Sequence, residues 1–134
     1  MRVLYVDDDR VNALLFCEAC RLADNVDVQT ADSGGEALEL VSQWRPDLLV
    51  IDLHLPDMLG YALLPQLRRR LAAPALPAFL CTADSAGEVT APALQAGFDG
   101  CWTKPVELQM LLGELARLAR RAPAPSANAF GMAK

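Results

Sequence analysis

The chain has 134 residues, 53% of them hydrophobic and 22% charged, with 12 basic against 17 acidic side chains and a formal net charge of −5. Such a chain is long enough to bury its own core and too apolar to be disordered, and its acidic balance argues against direct nucleic-acid binding. No apolar run approaches the roughly 20 residues of a membrane span, and the opening MRVLYVDDD lacks the apolar core of a secretion signal. A cytoplasmic protein without membrane insertion is therefore expected.

In chain order, residues 3–6 form an apolar run suited to a buried strand, and Asp7, Asp8 and Asp9 follow it without a break. Residues 11–23 place Leu14, Leu15, Cys17 and Leu22 at helical spacings, with Asp9 ahead of them as the helix cap. A second strand at 26–30 leads to a helix at 35–44 carrying Ala37, Leu38, Val41 and Trp44, with Ser33 as N-cap and Glu36 three residues on. The third strand, 48–51, runs into Asp52, and the helix at 61–71 ends in the basic run Arg68, Arg69, Arg70, which complements its dipole. The fourth strand, 78–81, runs into Thr82. The helix after it, at 88–96, contains Pro92; proline breaks a helix interior, so this helix is expected to begin late, near Thr90 or Ala91. A fifth strand at 100–103 precedes Lys104, and a helix at 106–121 carries the stripe Leu108, Leu111, Leu112, Leu115, Leu118. Cys17 and Cys20 form a CxxC without a second pair, in apolar surroundings like those of Cys81 and Cys101, which fits packing better than redox or metal chemistry. Residues 122–134, rich in Pro and Ala, show no periodicity and are expected to be a flexible tail or linker stub after one domain at 1–121.

Strand and helix thus alternate five times. Each helix is a crossover, so the strands pair in parallel, giving an α/β fold: a five-stranded parallel sheet, doubly wound. Ligands of such sheets bind beyond the carboxyl ends of the strands. Asp7, Asp8, Asp52, Thr82 and Lys104 all fall at that edge. Crowded carboxylates repel one another unless a cation joins them; Mg2+, which takes oxygen ligands from one or two carboxylates, suits the set, and Lys104 adds positive charge.

The stretches VDDD, IDLHLPDMLG, CTAD and TKP, at matching strand ends and at matching intervals, resemble the receiver domain of two-component response regulators over nearly all of residues 1–121. The resemblance implies a flavodoxin-like fold and a Mg2+-dependent phosphoacceptor. Asp52 would take a phosphoryl group from a phosphohistidine on a sensor histidine kinase or a histidine phosphotransfer protein. Asp8 would bind the metal directly, Asp7 at one remove, and His54 through its backbone carbonyl. The Thr82 hydroxyl and the Lys104 ammonium would meet the phosphoryl oxygens, with the Lys104–Pro105 peptide cis. His54 and Asp84, two residues after Asp52 and Thr82, would flank the path of attacking water and tune the phosphate's lifetime. Such a protein is no conventional enzyme; it promotes only its own phosphorylation and dephosphorylation.

Cys101 stands where many receivers carry a switching aromatic, and the neighbouring Trp102 faces the opposite side of the sheet, so the usual switch face is altered. Two alternatives stay open. One is a docking module that no longer accepts phosphate. The other is a haloacid-dehalogenase-like phosphatase with Asp7 as nucleophile, Asp9 as general acid, and Thr82 and Lys104 in its second and third motifs; it lacks an acidic pair after Lys104 and leaves Asp52 idle. The style of IDLHLPDMLGYALLPQLR resembles receivers attached to hybrid sensor kinases, while the output and a homodimer are left open.

Overall fold

The computed structural model describes residues 1–84, 86–104 and 106–121. Their elements run β1 (Arg2–Val6), α1 (Arg10–Cys20), β2 (Asp27–Ala31), α2 (Gly34–Leu40), β3 (Leu48–Asp52), α3 (Gly60–Leu71), β4 (Ala78–Thr82), α4 (Ala86–Ala96), β5 (Gly100–Thr103) and α5 (Leu108–Arg121). The strands form one sheet, parallel throughout as the alternation predicts, in the order β2-β1-β3-β4-β5. The chain starts inside the sheet, steps to one edge and returns across to the other, so right-handed crossovers lay helices on both faces.

Side chains alternate between those faces. Leu4, Val6, Leu49, Ile51, Ala78 and Leu80 pack beneath α2, α3 and α4, against Ala37, Leu63, Leu64, Leu67, Val89 and Ala93. Val3, Tyr5, Leu48, Val50, Phe79, Cys81 and Trp102 pack beneath α1 and α5, against Phe16, Cys20, Leu111, Leu115 and Leu118. β3 and β4 are buried throughout, which is why they read as unbroken apolar runs rather than alternating ones.

Three expectations need correction. α1 ends at Cys20 and α2 at Leu40, each shorter than the sequence suggests. On α1, Phe16 and Cys20 face the core, whereas Val11, Leu14 and Leu15 are exposed, as is Leu22 just beyond the helix; this segment is apolar around most of its circumference, so spacing alone does not select the buried face. α4 begins at Ala86, not near Thr90 or Ala91, and runs through Pro92 to Ala96. Proline removes one helical N–H, whose acceptor would be the carbonyl of exposed Glu88, within reach of water. Burial of Val89 and Ala93 holds the helix on the sheet regardless. α3 tolerates Pro65 in the same way, with Leu63, Leu64 and Leu67 fully buried around it. Pro105 and residues 122–134 lie outside the described residues, and so do the expectations of a cis Lys104–Pro105 peptide and of a flexible tail. Among the described residues no helix is long and apolar enough to cross a membrane.

Candidate functional site

β1 stops at Val6, and the backbone N–H of Asp7 makes one more bond, to the Ala31 carbonyl, at 3.0 Å. Asp7 and Asp52 are buried and Asp8 is exposed, yet carboxylate oxygens of all three lie within 4.8 Å of one another. Lys104 enters from the end of β5, its own N–H bonded to the Thr82 carbonyl at 2.8 Å. Its Nζ is 2.7 Å from Asp7 Oδ2 and 3.4 Å from Asp52 Oδ2. Strand alternation accounts for the convergence: Asp7 continues the face of Tyr5, Asp52 that of Val50 and Lys104 that of Trp102, all on the α1 and α5 side. Thr82 continues the face of Leu80, on the other side. It is fully buried one residue beyond the Asp52–Cys81 pair, and its Oγ1 accepts the Asp84 N–H at 3.2 Å.

Burial disfavours the charged form of Asp52 and raises its pKa; Asp7 adds to this, and the Lys104 ammonium offsets part of it. Burial alone would lower the pKa of Lys104, but its hydrogen bond to Asp7 and the charges of Asp52 and Asp7 outweigh that and raise it. Both carboxylates thus favour the charged form of Lys104. Cys81, beneath the pocket, is pushed up to about 12, chiefly by burial, and Cys20 likewise. Both are thiols that pack, as their apolar surroundings predict.

Asp9 caps α1: its Oδ1 accepts the N–H groups of Val11 and Asn12 at 2.9 and 3.1 Å. Asp7 is likewise committed, taking the Asp9 N–H on Oδ1 at 2.9 Å and both the Tyr5 hydroxyl (2.9 Å) and Lys104 on Oδ2. A phosphatase with Asp7 as nucleophile and Asp9 as its acid has neither group free. Ser33 caps α2 by accepting the Glu36 N–H, and Glu36 reaches back to the N–H of Asp32.

The two loops at the mouth are tied down separately. Asp57, in the β3–α3 loop, accepts the N–H groups of Gly34 and Gly35, each at 2.9 Å, so that with Ser33 the first three amides of α2 are satisfied. Gly60 donates to the Leu53 carbonyl at 2.8 Å, and a Cβ there would come within 2.6 Å of the Asp52 carbonyl oxygen. His54 Nε2 lies 2.8 Å from Asp84 Oδ2, a bridge between the loops after β3 and β4 whose side chains are 61% and 40% exposed. Cys101 packs on the α3 and α4 side and Trp102 on the other, stacked on Phe79 at 4.8 Å.

The structure therefore brings Asp7, Asp8, Asp52 and Lys104 together, seats Thr82 beside the Asp84 loop, and joins His54 to Asp84. Three further residues, Tyr5, Asp57 and Gly60, shape the pocket without having been singled out from the sequence. Tyr5 carried a signal: a hydroxyl in a buried strand needs a partner, and Asp7 is two residues along on the same face. Asp57 carried none, since its partners lie more than 20 residues earlier. The three carboxylates make a hard, all-oxygen donor set, which fits Mg2+ and not a thiophilic metal.

The family model described as the response regulator receiver domain matches residues 3–116. The chain belongs to that family. The receiver is 39% identical over 125 residues to the response regulator MprA of Mycobacterium leprae, covering 90% of this chain and 52% of that protein. To the sensor histidine kinase RcsC of Salmonella typhimurium it is 33% identical over 121 residues, covering 90% of this chain and 12% of the kinase. The chain thus spans about half the length of the first of these curated relatives and a small part of the second. Among solved structures, the response regulator receiver domain protein from Methanospirillum hungatei JF-1 is similar at 27% identity and a TM-score of 0.77, covering 90% of this receiver and 94% of that chain.

Proposed function

We propose that this receiver, acting in the cytoplasm, accepts a phosphoryl group on Asp52 from a phosphohistidine of a sensor histidine kinase or a histidine phosphotransfer protein. The observation that carries this reading is the setting of Asp52: nearly buried, at the open end of β3, with Lys104 Nζ 3.4 Å away and the Asp7 and Asp8 carboxylates around it. An Asp52 carboxylate oxygen attacks phosphorus, the P–N bond breaks with its electron pair returning to imidazole, and a P–O bond forms. Lys104 opposes the charge of the phosphoryl oxygens, and the Thr82 hydroxyl is the donor on the opposite flank. Asp8 and Asp52 would hold Mg2+, with Asp7 behind them and the His54 carbonyl as a further ligand. When bound, that ion supplies charge neutralisation at the acceptor. Val11, Leu14 and Leu15, exposed and apolar on the helix that starts just after Asp9, support docking of a helical phosphohistidine carrier at this edge.

Mass spectrometry after incubation with acetyl phosphate and Mg2+ tests the reading. One phosphoryl mass per chain is expected on Asp52, none in Asp52→Asn, and no multiple turnover of a generic phosphomonoester. Label elsewhere, or no label, refutes it; in the second case a phosphate-independent docking module takes its place.

A further inference from the structure

Lys104 is closer to Asp7 than to the acceptor, 2.7 Å against 3.4 Å, so the cation rests on the neighbour of Asp52. The Asp7 side chain is only 1% exposed, so a lost donor is not replaced from open solvent. Phosphorylation turns the singly charged Asp52 carboxylate into an acyl phosphate of roughly two negative charges and draws the ammonium across, away from Asp7 Oδ2. What that oxygen retains is the Tyr5 hydroxyl, at 2.9 Å. Tyr5 is 3% exposed, and its ring is stacked on Phe16 at 4.3 Å with the planes 13° apart.

We infer that Tyr5 is a positioning residue of the phosphoacceptor pocket, whose hydroxyl keeps Asp7 Oδ2 hydrogen-bonded when Lys104 leaves it for the phosphoryl group on Asp52. A buried acceptor left without a donor costs more than a bond made there gains, so without the phenol the movement of Lys104 is opposed. The inference rests on Asp52 as acceptor.

The test titrates wild type and Tyr5→Phe with Mg2+ alone and then with beryllofluoride, a phosphoryl mimic, at saturating Mg2+, following amide NMR shifts, with a thermal melt of each. Phenylalanine keeps the ring and its stack. Tyr5→Phe is expected to bind Mg2+ within about twofold of wild type and beryllofluoride about fivefold to tenfold more weakly. Phe16→Leu, which loosens the stack but keeps the hydroxyl, is expected to melt earlier with the ratio of the two affinities unchanged. Equal beryllofluoride affinity in Tyr5→Phe overturns the inference, as does an equal loss for Mg2+ alone or the same altered ratio in Phe16→Leu. If wild type itself shows no Mg2+-dependent beryllofluoride binding, the acceptor reading falls and takes this inference with it.

Discussion

The two faces of the sheet end in different kinds of polar group, held in different ways. Beneath α1 and α5 the core is aromatic, with Tyr5 stacked on Phe16 and Phe79 on Trp102, and it ends in Asp7, Asp52 and Lys104. Beneath α2, α3 and α4 it is mainly Leu, Ile, Val and Ala with Phe98, and it ends in Thr82 and the exposed His54–Asp84 bridge. On the first face one carboxylate takes three donors away from water; on the second, the rim pair shares one bond in solvent. Burial strengthens electrostatic contacts and penalises their loss, whereas exposed pairs are screened. The contacts on Asp7 are thus costly to lose without a replacement donor, and rearrangement is cheapest at the exposed His54–Asp84 rim.

The sharpest way to break this contrast is to disturb the aliphatic face where it touches the acceptor. In Gly60→Ala the new methyl meets the Asp52 carbonyl oxygen at 2.6 Å and Ile51 Cγ2 at 3.2 Å, so α3 or the end of β3 must move. Overpacking of this kind costs about 1–3 kcal/mol, which for a domain of this size lowers the melting midpoint by roughly 3–12 °C. Phosphoryl labelling of Asp52 should slow as well. A variant that melts like wild type would mean that the α3 face is loose at the strand end and that the two faces do not differ in the way described.

A smaller effect is expected at the rim. If His54 and Asp84 act as one bridge over the acceptor, His54→Ala and Asp84→Ala each shorten the phosphoaspartate half-life about twofold to fivefold, and the double variant does no more than either alone. Additive changes would show two independent side chains, and unchanged half-lives would leave the bridge without a kinetic role.

How much of this was readable beforehand follows from the range of the forces involved. The five βα units, the edge at which Asp7, Asp52, Thr82 and Lys104 meet, and the caps at Asp9 and Ser33 are set by strand and helix periodicity and by bonds to residues two to four positions away. The buried face of α1 was obscured, because the side marked as exposed by Arg10 and Glu18 also carries the apolar Val11, Leu14 and Leu15. Pro92 misled for a related reason: the local rule is sound, but one missing hydrogen bond near solvent is small beside the burial of Val89 and Ala93. The sharing of Asp7 between Tyr5 and Lys104 and the reach of Asp57 to α2 depend on the folded sheet, across 97 residues for Lys104.

Asp57 gives the smallest and most diagnostic effect, because it ties the β3–α3 loop to a neighbouring helix through its carboxylate alone. The N–H groups of Gly34 and Gly35 lower its pKa, and the group is fully exposed, so its contribution is modest and open to screening. A carboxylate whose pKa is depressed in the folded state stabilises fully above its unfolded value, near 3.9, and loses that stabilisation as pH falls through the folded value. Asp57→Ala is therefore expected to melt below wild type by a constant interval from about pH 5 to pH 8, and the interval should close progressively below about pH 4. Thermal melts of both proteins across that range decide it. A gap that persists into acid would mean that Asp57 acts by packing and not by its charge, and the β3–α3 loop would then be anchored to α2 as firmly as Asp7 is to Tyr5.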